Sequence, residues 1–411
     1  MKKLVHALVA VIVLAGLIVG CAVPQSTPTP EKAFKWPEML VTVSGAETSP
    51  GYYVPLAWTP LHEKATAVKW RVIGAASSAE RTQLLRDGSA NFYYNSLTAS
   101  GTENVEARYG LATRGGGPLD LRIALQGFIF PLGVVTRGDS PIKTIYDIKP
   151  GTTFGVPVGI ATFVDYYYAY RAWLNMSERE LIMVPFGNYR AAETALAEGK
   201  IDLFFCQPTS AFALEMAGGP HGIRFLDWPE KDVEGEKRFR EVVSTVTFST
   251  VNRGVKEGRG VRMHINPWNA YTLRDTDPEL VYRLVKWLDE NSNAIKGLCA
   301  ECEDLTLKVL RESLNTTFMP VHEGTIRYLK EKGLWTAADD ARQEYNVRLV
   351  NWYIKAYAEA IKIADEKGVK VDPTNKAWLE FWTNYQKEIG IPHMTVMTNE
   401  EIKAGLAKLK K

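Results

Sequence analysis

Cysteine is scarce in this chain, with four in 411 residues. A disulfide scaffold is thereby excluded, and the fold must rest on an apolar core. With 46% hydrophobic and 23% charged residues there is ample material for one, over a length that suits two or three domains. An excess of one charge sign is also missing: 49 Lys and Arg stand against 47 Asp and Glu, a net charge of +2. No long single-sign block occurs before the short basic end "KLKK", so nothing points to nucleic acid. Histidine is sparse, six in all, with no metal-spaced cluster of His, Asp and Glu, and no repeat of fixed period appears. Neither a metal nor another cofactor is expected.

What is present begins at the N-terminus. Lys2 and Lys3 precede the apolar run "LVHALVAVIVLAGLIVG", which stops at Cys21. So short a run, with a small residue at its boundary, suits an export signal better than a membrane span. Its end, "LIVGC" from Leu17 to Cys21, resembles the bacterial lipobox, whose Cys becomes the lipidated first residue of the mature protein. The following "AVPQSTPTPEKA" cannot bury a core and suits a tether. The expectation is therefore a signal peptide over 1–20, a tether over 21–36 and attachment to the outer face of the cell membrane through lipid alone, an unlipidated secreted protein being the alternative.

Beyond the tether the chain alternates strands and helices. "EMLVTVSGA" suits a strand, "SPGYYVPLAWTPLHEKA" a helix despite Pro55 and Pro60, and "AVKWRVIGAASSAERTQLLRDGSANFYYNS" a βαβ unit. "LDLRIALQGFIFPLGVVTR" supplies two apolar runs without alternation, as in strands covered on both faces. Two further α/β units follow through "TTFGVPVGIATFVDYYYAYRAWL" and "RAAETALAEGKIDLFFCQPTSAFALEMAGG", and helices fill the C-terminal part. Cys206 suits a buried thiol, and Cys299 and Cys302 suit a local disulfide, a redox pair being the alternative.

The strand-to-helix turns "SGAETSPGYY", "GAASSAER", "PVGIATF" and "CQPTSAF" are all built from small, hydroxylated or Gly/Pro residues. In open α/β sheets, ligands sit beyond the carboxyl ends of strands, where helix N-termini turn N–H groups inward. Ser and Thr are also ordinary helix caps, and the tyrosines could simply close a core.

The order and wording of these turns resemble the TAXI-type solute receptors of tripartite ATP-independent periplasmic (TRAP) transporters. The likeness runs from about Met39 to Trp335, through Gly51-Tyr52-Tyr53, "SSAERTQLLRDGSA", "DSPIKTIYDIKPGTTFGV", "ALAEGKIDLFF" and "FMPVHEGTIRYLKEKGLW". It implies an α/β fold of the two-lobed, type II periplasmic-binding-protein (Venus flytrap) kind. The expected lobes are 37–136 with 246–335, and 137–245, followed by a helical C-terminal extension over 336–411. Chain crossings between lobes are expected near Thr136–Asp139 and Val242–Thr247. The implied function is capture of a small organic anion, a carboxylate, amino acid or keto acid, by a monomer that delivers it to TRAP membrane subunits. A sensor input protein or an ABC-type receptor would share the fold, whereas no His lies in the turns to support a catalytic triad, and His322 is expected to be structural.

The ligand-binding residues implied at the turns are Ser49, Tyr52, Tyr53, Ser77, Ser78, Gly159, Ala161, Thr162, Thr209 and Ser210. Arg81, one turn into its helix, would grip the anion, unless it pairs at the surface with Glu80 or Asp87. Phe128, Phe130 and Phe163 would wall the apolar part, with Gln126 and Gln207 fixing orientation. Gly159-Ile160-Ala161-Thr162 departs from the Gly-Ser-Gly-Thr common in relatives, and Arg81 replaces a common Asn. Mass spectrometry of membrane-extracted protein should find Cys21 as the lipid-modified first residue; an unmodified N-terminus beyond Ala22 would refute this.

Overall fold

The structure, a computed structural model, describes residues 34–409 apart from 46, 48, 76 and 159. The signal peptide, Cys21, most of the tether and Gly159 lie outside the described residues. The chain divides into two units, Met1–Trp36 and Pro37–Lys411, and the second holds the strands and helices described.

In chain order these are β1 (Met39–Ser44), α1 (Pro50–Thr66), β2 (Lys69–Gly74), α2 (Ser78–Arg86), β3 (Phe92–Ser96), the single turn α3 (Leu97–Ala99), β4 (Leu121–Phe128) and β5 (Pro131–Arg137). Then come β6 (Thr152–Pro157), α4 (Ala161–Trp173), β7 (Leu181–Phe186), α5 (Tyr189–Ala197), β8 (Phe204–Cys206), α6 (Ala211–Gly218), β9 (Ile223–Phe225), α7 (Val233–Val242) and β10 (Thr247–Val251). The remainder is β11 (Val261–Ile265), β12 (Trp268–Leu273), α8 (Pro278–Glu290), α9 (Ser292–Ile295), α10 (Leu307–Ser313), α11 (Glu323–Glu331), α12 (Ala337–Glu366), α13 (Lys376–Glu388) and α14 (Asn399–Leu409).

Two sheets organise the molecule. The first has the order β2-β1-β3-β12-β4, with β1 parallel to β2 and β3 while β12 runs antiparallel to β3 and β4. The second has the order β10-β11-β5-β8, with β9 also on β5. The parallel pair β6-β7 continues it, because Leu203 N–H donates to Thr153 O at 3.0 Å and Gly155 N–H to Leu203 O at 2.9 Å. Tyr167, Tyr170, Trp173, Phe204, Phe205, Trp228 and Phe239 fill one buried aromatic core on this second sheet.

Pro50 pre-sets the φ of the first turn of α1 after the extended Ser49, and the helix continues through Pro55 and Pro60 to Ala67, whose left-handed φ of 63° stops it. Gly51 is required there: a Cβ would lie 2.1 Å from Ser44 Oγ and 2.5 Å from the Trp268 ring. The mouth of α1 is thus packed against the ends of β1 and β12.

The chain changes sheets at Ile129–Phe130, between β4 and β5, and at Asn266–Pro267, between β11 and β12. This displaces the crossings expected near Thr136–Asp139 and Val242–Thr247, because β5 and β10 already belong to the second sheet. The two crossings lie side by side, Asn266 N–H donating to Phe130 O at 3.0 Å. Just before the first crossing, β4 passes close to β12 at Gly127, where a Cβ would fall 1.6 Å from Trp268 O.

The C-terminal helices are fastened by indoles. Trp378 Nε1 donates to Ala112 O at 2.8 Å and Trp382 Nε1 to Glu106 O at 2.9 Å. The buried Glu106 carboxylate accepts from Met394 N–H at 2.7 Å, and Val396 N–H donates to Ser244 O at 3.0 Å. The segment after α13 therefore touches both the part preceding β4 and the part preceding β10.

In the second core, the fully buried His264 faces the Tyr170 hydroxyl, 2.7 Å from Nδ1, and burial depresses its pKa to about 3. The unfolded chain takes up that proton near pH ~6.5 and the folded chain does not, so the associated stability is complete above ~6.5. It should drain away by roughly 1.4 kcal/mol per pH unit as pH falls from there toward about 3. Denaturant unfolding at stepped pH checks this, and His264→Gln should flatten that part of the decline.

Candidate ligand-binding cleft

Helix mouths from the two sheets meet at one carboxylate. Gln207 and Thr209, in the turn between β8 and α6, donate to Glu301 Oε1 through Nε2 and Oγ1, each at 3.0 Å. Tyr53, in the first turn of α1, lies near Glu301, and burial, with that carboxylate beside it, raises its phenol pKa far above the ordinary value. Glu301 is 2% exposed and Gln207 6%, so the contact is shielded from water.

Glu301 reaches this place from a short turn that is held at both ends. A disulfide joins Cys299 to Cys302. At its far end Asp304 Oδ2 accepts from Arg253 Nη1 at 2.6 Å and from Ile129 N–H at 2.9 Å, and Arg253 also donates to Ile129 O. The turn is thereby tied to the crossing at Ile129. At the second crossing, Asn266 Oδ1 accepts from Thr98 Oγ1 at 3.2 Å while its Nδ2 donates to Tyr166 on α4 at 2.8 Å.

A second group gathers at the mouth of α2. Ser78 Oγ donates to Glu103 Oε2 at 2.5 Å and accepts from Arg81 Nη2 at 2.9 Å, and the Arg81 guanidinium lies 5.7 Å from the Tyr93 ring centre. Burial pushes the Glu103 carboxyl above its ordinary range, with Ser78 and Arg81 pulling the other way. Asp165 on α4 is likewise raised, mainly by burial, and accepts from the Tyr109 hydroxyl. The point where a Gly45 Cβ would sit is 3.2 Å from Ser49 Oγ and 3.4 Å from Arg81 Nη1. Ser49 Oγ is buried there without a hydrogen-bond partner, so a hydroxyl and a guanidinium both lie beside the Gly45 α-carbon.

The residues nominated from sequence separate into three sets. Tyr53, Gln207 and Thr209 meet at Glu301, while Ser49, Ser78 and Arg81 border the α2 mouth, with Tyr52 beside Gly74. Arg81 turns to Ser78 and Tyr93, with no ion pair to Glu80 or Asp87 recorded among the described residues. Ser77 and Ser210 are helix caps instead, accepting from Glu80 N–H and Ala213 N–H, each at 3.1 Å. The N–H groups of Tyr52 and Tyr53 are also occupied, donating to Ser49 O at 3.0 and 3.2 Å.

Gln126 leaves the cleft altogether, because it is fully buried behind β4 and donates to Val285 O on α8 at 3.2 Å. Phe128 is buried in a stack on Trp268, ring centres 5.6 Å apart, and Phe130 lies 5.8 Å from the same ring. Phe163 packs 5.1 Å from Phe205, next to Ala161 and the buried Thr162 at the start of α4. His322 caps α11, Gly324 N–H donating to its Nδ1 at 3.2 Å. Glu301, Glu103, Asp165 and Asn266 were not foreseen, although a carboxylate inside a Cys-x-x-Cys loop was a signal in plain view.

Among the described residues no group of three or more His, Cys, Asp and Glu is disposed to hold a metal ion, and no helix is long and apolar enough to cross a membrane. The burial of Cys206 raises its thiol to about 12, so it is a packing residue.

The sequence pattern of the NMT1-like family matches residues 51–333. No curated protein sequence matches the chain. Among solved structures, MatC from Rhodopseudomonas palustris with bound malate is similar at 14% identity and a TM-score of 0.44, over 73% of this chain and 99% of that one. Another R. palustris protein, with adipate, has the same identity and score over 73% and 97%. Substrate-binding domain 2 of Lactococcus lactis GlnP, in an open conformation, has 12% identity and a TM-score of 0.39 over 68% and 97%.

Proposed function

The chain belongs to the NMT1-like family, and on that premise we propose that it is an extracytoplasmic solute receptor that closes two lobes around a small organic anion. The carrying observation is the buried Glu301 carboxylate, which takes the Gln207 amide and the Thr209 hydroxyl from the turn after β8 on the second sheet and lies near Tyr53 of α1 on the first. Donors so arranged recognise a carboxylate without a metal. The solute's own carboxylate is assigned to the unpartnered Ser49 hydroxyl and the Arg81 guanidinium beside Gly45, at the positive end of α2. The lobes are the layers built on the two sheets, hinged at Ile129–Phe130 and Asn266–Pro267.

In this reading Cys21 carries a lipid, the Pro-rich segment after it holds the receptor off the bilayer, and TRAP membrane subunits of the TAXI type accept the solute. The apolar rings near the crossings, Phe128, Phe130 and Trp268, brace the hinge.

Melting the purified protein against carboxylates, amino acids and keto acids tests the proposal. A true ligand at a hundred times its dissociation constant should add about 2.7 kcal/mol of stability and shrink the radius of gyration in solution scattering. Arg81→Ala should weaken that ligand by roughly 1.5 to 3 kcal/mol, the range for a hydrogen bond to a charged group, with little change in the empty protein's stability. Binding confined to solutes without an anionic group would refute the carboxylate assignment.

A further inference from the structure

Glu301 occupies donors of the kind that a second ligand carboxylate would need. Its Oε1 takes the Gln207 amide and the Thr209 hydroxyl, and Tyr53 lies near the same carboxylate. The side chain has little freedom to withdraw. The Cys299–Cys302 disulfide spans its turn, and Asp304, three residues on, is bonded to Arg253 and to the Ile129 backbone.

Resting on the receptor reading above, we propose that Glu301 is a specificity-determining residue: an internal carboxylate that fills one anion position of the cleft and restricts the receptor to solutes with a single acidic group. A dicarboxylate would have to set its second charge against Glu301 after that residue has taken the local donors. Like charges in a water-poor site repel far more strongly than in water. Around the rest of the cleft, the carboxyl groups of Glu103 and Asp165 hold the Ser78 and Tyr109 hydroxyls, so those donors are not open to a second negative charge. Arg253, the cation on the Glu301 side, is already paired with Asp304. The anion position assigned to the solute differs: the Ser49 hydroxyl is without a partner, and Arg81, whose Nε and Nη2 donate to Ser77 O and Ser78 Oγ, has its Nη1 turned to the same side.

The experiment is calorimetric titration with matched pairs of equal carbon length: hexanoate and adipate, butyrate and succinate, 2-aminobutyrate and aspartate. The wild type should prefer the monoacid of its best pair by about a hundredfold or more. Glu301→Ala, which vacates the position, should narrow that preference at least tenfold by gaining affinity for the diacid. Glu301→Gln, which keeps the size and removes the charge, should fall between. Circular dichroism and melting identify any variant that does not fold, and the wild-type ratio needs no variant. A wild type that binds the diacid as well as the monoacid overturns the proposal, as does a folded Glu301→Ala with an unchanged ratio. In both cases the receptor reading survives, whereas absence of binding by any carboxylate removes that reading and this inference with it.

Discussion

One buried carboxylate, Glu301, is the constraint on which the turn after β8 depends. Taking a charged carboxylate out of water costs several kcal/mol, and hydrogen bonds to the charged form, about 1.5 to 3 kcal/mol each, must offset that cost. Glu301 finds its donors, Gln207 and Thr209, in the turn after β8 on the second sheet, and lies near Tyr53 of α1 on the first. Losing those donors would strand a charge away from water. The contact therefore ties the β8 turn to the Cys299–Cys302 turn.

Close packing gives the same layout at the crossings. Gly51 lets α1 lie against Ser44 and Trp268, and Gly127 lets β4 pass the Trp268 backbone. Trp268 in turn meets Phe128 and Phe130. A rotation of one sheet's layer against the other must work through these few residues and through Asn266, whose amide links Thr98 to Tyr166. The C-terminal helices add a further tie, since Val396 bonds to Ser244 while Met394 bonds to Glu106. The sheet crossings and this C-terminal tie thus lie on separate stretches of chain.

Local chemistry was legible in the sequence where the interaction itself is local. The alternation of strands and helices, the cap residues Ser77 and Ser210 and the start of α1 at Pro50 all depend on neighbours within a few positions. The sheet crossings were misplaced because a continuous apolar run contains both β4 and β5 and says nothing about which partner each strand takes. Gln126 was misassigned for a related reason: a polar side chain in such a run can serve a ligand or a helix carbonyl, and Val285 is 159 positions away. Glu301 escaped notice because its partners are 92 and 94 positions distant, beyond the reach of any periodicity.

The most direct measurement is a crystal structure of the receptor with its best-binding carboxylate. The account predicts the ligand's carboxylate between Ser49 and Arg81, with Glu301 still bonded to Gln207 and Thr209. A ligand carboxylate seated on Gln207 and Thr209, with Glu301 swung away, would contradict it.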